Sequence, residues 1–234
     1  MDIHTGMGTG RAIAKGMGPA MKDIVNMGLG AEIIYSFIII ACSLMVYSGT
    51  KELYELTKHK GIKYFRLSFL FFAIAYFFRS FIKIILITMD MREIREIAHL
   101  FGSITIFLFV YLSSIAILYL LYSVIYKKWK KDKSYIIHII AIILAITTII
   151  FASPITYLTI NALLLILIII AIKSSHKKKN KLHTIYILLS VFWIINVLDI
   201  LIPNFFQTFQ LLIYLSSLGI FLTIVYKTLR SIGK

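Results

Sequence analysis

Arg79 and Lys83 lie inside the apolar run 64–89, YFRLSFLFFAIAYFFRSFIKIILITM, four residues apart and therefore on one face of a helix. A charged side chain at such depth in a segment able to cross a bilayer costs roughly 2.5–3.5 kcal/mol on insertion scales. A partner charge, a water-filled cavity or a bound anion must offset that cost. The chemistry on offer is charge recognition, and further polar residues could join it. Asp199 lies in a later apolar run, four residues before Pro203, with Asn196 three residues earlier on the same face. Gln207, Gln210 and Tyr214 follow at helical spacing in the last run. Tyr157 and Asn161 sit in a fifth run, Glu32 and Ser36 open the first, and His99 opens the third.

The cluster is open to two readings. Arg79 and Asp199 could form a structural ion pair, since a long basic side chain can snorkel toward the level of Asp199. Polar side chains also bridge membrane helices without further meaning, for about 0.6 kcal/mol each. Alternatively, these residues line a ligand pocket open to the outside. Two embedded cations outnumber Asp199, so Glu32, an anionic ligand or water has to balance the surplus.

Catalysis finds little support. A retinal protein needs a lysine in the middle of its last span, where Lys227 stands only at the inner end. Haem ligation needs paired intramembrane histidines, whereas His138 and His183 lie near the inner ends of separate spans. Intramembrane proteolysis would call for a Ser–His arrangement, a carboxylate pair or Glu/His metal ligands. The single Cys42 lies in the first apolar run, so there is no disulfide framework and no cysteine metal site. No enzyme, cofactor or metal is expected.

The elements that must position these residues are membrane helices. Hydrophobic residues make up 60% of the chain, and mean hydropathy is +0.91. Several runs exceed the 18 or so apolar residues that a helix needs to cross the hydrocarbon. Seven spans are expected, at 31–49, 64–89, 98–126, 135–152, 154–172, 183–202 and 205–227. The fourth and fifth touch at Ser153-Pro154. A single helix over 135–172 would be about 57 Å long, nearly twice the core thickness, so two crossings with a turn at the proline fit better.

The charges alternate with the spans. Lys51, Lys58, Lys60, Lys63 and Arg66 follow the first span, five lysines at 127–133 the third, and five at 173–181 the fifth. Lys227, Arg230 and Lys234 end the chain, whereas the opposite side holds only Arg11, Lys15, Lys22, Arg92 and Arg95. Lys and Arg favour the cytoplasmic side, which puts the N-terminus outside and the C-terminus, with a short tail at 231–234, inside. The fold class expected is all-α, a polytopic protein of the cell membrane, with the membrane domain at 31–230. The net charge of +15 reads as topology and contact with anionic lipid rather than nucleic-acid binding.

Residues 1–30 form a Gly/Met-rich extracytoplasmic leader without the apolar core of a signal peptide. It is either a flexible tail or, over 11–27, a short interfacial helix on Ile13, Met17, Met21 and Ile24. The Phe-rich face of the second span (Phe69, Phe72, Phe77, Phe78 and Phe81) reads as lipid and packing surface. The inner halves of the spans read as almost wholly apolar. Rich Ile and Lys usage suggests an AT-rich prokaryotic genome.

Tyr111-Leu-Ser-Ser in the third span recurs as Tyr214-Leu-Ser-Ser in the seventh, which allows a parallel 3+1+3 repeat. Seven spans, an outside N-terminus and that repeat resemble the small sugar-transporter and PQ-loop families in general layout. No Pro-Gln pair occurs, and Pro154 and Pro203 stand at helix ends rather than at midplane breaks. The expected function is therefore a non-enzymatic sensor or receptor-like protein, or a membrane-complex subunit. A membrane or cytosolic partner protein would meet the basic loops at 127–133 and 173–181. Transport of a small anionic or polar solute is the alternative.

Overall fold

In the computed structural model, residues 19–88, 95–126, 134–151, 153–177, 183–201 and 207–232 are described, and all of their regular structure is helical. Seven long helices are α1 (Pro19–Gly49), α3 (Lys60–Thr88), α4 (Arg95–Ile125), α5 (Ser134–Phe151), α6 (Pro154–Lys177), α7 (His183–Leu201) and α8 (Gln207–Ile232). A helix of about two turns, α2 (Lys51–Thr57), lies between α1 and α3 in a stretch that the sequence reads as loop. Six of the long helices are apolar and long enough to cross a membrane, and α7 is equally apolar over a shorter described length. The chain is thus a helical protein of the multi-pass membrane type.

Each expected span has a helix of its own. α5 and α6 separate at Ser153-Pro154, as the proline predicts: Pro154 opens α6, where its missing N–H costs nothing, and Ser153 Oγ accepts from the Ile155 N–H at 3.3 Å. At the N-terminus the described helix runs unbroken from Pro19 into the first span. Residues 19–29 are thus helical and continuous with the first span. Residues 1–18 and the lysines at 127–133 lie outside the described residues.

α1 and α3 run antiparallel. Glu32, Tyr35 and Tyr47 of α1 meet Arg79, Tyr76 and Arg66 of α3 in reverse order. α3 packs most extensively on α4, where Gly61 permits the approach: a Cβ there would stand 2.8 Å from the Ser123 carbonyl oxygen. Around the bundle, α1 touches α3, α3 touches α4, α4 touches α6, α6 touches α7, α7 touches α8, and α8 returns to α1. α5 stands outside this ring, against α4. Its buried positions, Ile137, Ala141, Ala145 and Thr148, make one narrow stripe, and most of its other isoleucines face outward.

Aromatic side chains fill the middle. Phe65, Phe69, Phe72 and Tyr76 recur at helical spacing on α3 and are fully or almost fully buried. They reach across to Tyr186, Phe221, Trp193 and Phe192 of α7 and α8, at ring separations of 6.2–6.4 Å. α3 and α7 therefore run parallel, facing each other through their rings. The Phe-rich face divides: Phe69 and Phe72 are core, whereas Phe77 and Phe81 are exposed.

Candidate functional site

At the end of the bundle away from the basic loops, α3 carries Tyr76 and Arg79 one turn apart, and α1 carries Glu32 and Tyr35 one turn apart. The spacing of three residues stacks each pair along one helix face. Antiparallel packing then sets Arg79 against Glu32 and Tyr76 against Tyr35. The Arg79 Nη2 donates to Glu32 Oε1 at 3.0 Å, with side-chain exposures of 20% and 10%. Taking charge out of water is costly, and a close opposite charge with a hydrogen bond offsets it. Aromatic faces complete the seat: the guanidinium carbon lies 5.7 Å from the Tyr76 ring centre and 5.9 Å from that of Phe109 on α4.

Below the pair lies a hydrogen-bonded node on four helices. The Tyr76 hydroxyl donates to Asn196 Oδ1 of α7 at 2.9 Å, and the Tyr35 hydroxyl approaches the same oxygen at 3.4 Å. Tyr35 and Ser217 of α8 share a 2.8 Å bond, and Asn196 Nδ2 reaches Ser217 Oγ at 3.5 Å and its own helix at Phe192 O at 2.8 Å. Tyr214, one turn before Ser217, stacks on Tyr35 at 5.0 Å. Tyr157 of α6 is near enough to interact electrostatically with Arg79 and Tyr76. Charge recognition and hydrogen bonding are what this arrangement can perform. Among the residues whose contacts are described, no group of His, Cys, Asp or Glu is placed to hold a metal ion.

A protein of Archaeoglobus fulgidus is similar to this chain. It is described as an uncharacterized protein and is 28% identical over 213 residues, covering 87% of this chain and 93% of its own length. No protein-family model matches the chain, and no solved structure matches it.

The structure brings Arg79, Glu32, Asn196 and Tyr214 into one cluster. Asn161 stands beside it: its side chain donates to Tyr157 O at 2.8 Å, and its carbonyl accepts from Trp193 Nε1 at 3.3 Å, which joins α6 to α7. Gln210 is half-buried near the start of α8. Lys83, His99, Asp199 and Gln207 fall on helical positions of α3, α4, α7 and α8, and their side chains lie outside the described residues. Arg79, set against Asp199 in one reading of the sequence, has Glu32 as its described ion-pair partner.

Tyr35, Tyr76 and Ser217 escape sequence reasoning, because single tyrosines and serines in apolar runs resemble packing residues. The signal that finds them is spacing, since each stands three residues from a residue already singled out: Glu32, Arg79 and Tyr214.

The other end is more polar than expected. The Tyr186 hydroxyl bonds Ser123 Oγ at 2.9 Å. His138 is half-buried between two tyrosines, with Tyr111 at 3.1 Å on Nδ1 and Tyr119 at 2.9 Å on Nε2. A neutral imidazole has one donor and one acceptor nitrogen, and two hydroxyls satisfy both. His138 is thus a packing residue of the α4–α5 contact.

Proposed function

We propose that the chain is a non-enzymatic integral protein of the cell membrane. It crosses seven times with the N-terminus outside, and acts as a sensor or receptor-like protein or as a membrane-complex subunit. The observation that carries this reading is the node itself. Arg79 and Glu32 form a pair of zero net charge, joined through Tyr76 and Tyr35 to Asn196 and Ser217. A small solute that competes for any of these groups alters the contacts of α1, α3, α7 and α8 together. Signal would leave through a membrane or cytosolic partner at the basic loops, which also contact anionic lipid. The alternation of basic and non-basic loops supports the orientation.

Transport is the second reading, and the helix arrangement favours it. α1, α3 and α4 follow one another around the ring, as do α6, α7 and α8, with α5 outside and α3 parallel to α7 across the middle. That is the geometry a 3+1+3 parallel repeat requires.

Thermal melting of the purified protein against small anions and polar solutes tests both readings. Sensing or transport predicts a solute that raises the melting temperature with concentration in the wild type and fails with Arg79→Leu. Uptake of that solute into proteoliposomes selects transport, and a co-purifying partner without uptake selects sensing or assembly. If no solute shifts the melting temperature and the substitution only destabilises, the cluster is structural.

A further inference from the structure

We propose that the corner where α1, α2 and α3 meet binds the phosphate of an anionic phospholipid headgroup, held by Arg66 and Lys58 around Tyr54. This rests on the reading that the chain spans a bilayer with this corner at headgroup level.

Lys58 ends α2 in a left-handed conformation (φ 50°), and its N–H donates to the Tyr54 carbonyl at 2.7 Å. That turn carries the side chain back over its own helix, with Nζ 5.8 Å from the Tyr54 ring centre. Arg66 reaches the same ring from α3, with its guanidinium carbon at 5.6 Å. It is also fixed on α1, stacked 4.7 Å from the Tyr47 ring while Nε donates to the Tyr47 carbonyl at 3.1 Å.

Two cations therefore approach one ring, each within 6 Å of its centre, and neither has an ion-pair partner among the described residues. On the same short helix Glu55 pairs with Lys51 at 3.8 Å, and neither Glu52 nor Glu55 pairs with Lys58 or Arg66 among the described residues. Like charges held together repel unless an anion lies between them. With Nε engaged, the two Nη nitrogens of Arg66 form the open edge of a rigid fork, which matches two phosphate oxygens, and Lys58 adds a point charge. A lipid source is favoured over free phosphate by Leu56 on the same short helix. It is 85% exposed, and burial among acyl chains is the favourable place for such a side chain.

The test titrates the full-length protein in detergent with phosphatidylglycerol, phosphatidylcholine or inorganic phosphate and follows thermal melting. The expected result is a rise of several degrees with phosphatidylglycerol alone, at least halved in Lys58→Gln and in Arg66→Gln, and unchanged in Lys22→Gln, on the side opposite the basic loops. Lys58→Gln keeps the test valid if Arg66→Gln folds poorly. A full shift in Lys58→Gln, or an equal loss in Lys22→Gln, overturns the site. An equal rise with inorganic phosphate overturns the lipid as its occupant. Retention of the protein in membranes after alkaline carbonate extraction is measured in parallel, so that loss of the bilayer-spanning reading is distinguished from loss of this site.

Discussion

Arg79 on α3 and Glu32 on α1 meet at 3.0 Å through Nη2 and Oε1, 47 residues apart in sequence, at the end of the bundle opposite the basic loops. The contact ties the first two long helices together and leaves no net charge between its two members.

Removing one partner strands the other. Arg79→Leu and Glu32→Leu should each lower stability by about 3–5 kcal/mol, the usual cost of an uncompensated buried charge. The double substitution should cost far less than the two single effects combined, because both charges leave together. Denaturation of all four proteins measures the coupling, and strictly additive effects would show that the two residues act independently.

Gly61 and Gly219 should respond in opposite ways to alanine. At Gly61 the new methyl meets the Ser123 carbonyl, so the α3–α4 contact must open, for about 1–3 kcal/mol. At Gly219 nothing lies within 4 Å, and alanine should stabilise α8 by up to about 1 kcal/mol through helix propensity. Paired melting curves check this, and equal effects would contradict the packing described for α3.

Topology can be read with cysteine labels. Cys42 is buried, and Cys42→Ala supplies a background without thiols. In intact cells, Ser153→Cys should react with a membrane-impermeant maleimide, whereas Lys60→Cys and Arg230→Cys should react only after lysis. Labelling of Lys60→Cys in intact cells would reverse the proposed orientation.

Much of this architecture was legible in the sequence, since length and apolarity place a helix and Pro154 places a break. Arg79 stood out as the organising residue because a charge in an apolar run demands a partner, and Glu32 was among the candidates. What helix periodicity does not tell is which faces meet. Phe69 and Phe72 lie in the core and Phe77 and Phe81 do not, although all four look alike in one dimension. Tyr76 and Asn196 are 120 residues apart, and only folding puts a hydroxyl beside that amide. His138 looked like a residue of the membrane surface because the two tyrosines that enclose it belong to another helix.

The position of α5 outside the ring has a consequence of parity. α4 meets α6 directly, so the ring closes without α5 between them. What α5 supplies is one reversal of chain direction, which lets α6 set out on the same heading as α1. Without that reversal α7 would run against α3, and Asn196 would lie at the level of the basic loops instead of beside Tyr76. The helix outside the ring thus decides which end of α6, α7 and α8 faces which end of α1, α3 and α4, through chain direction.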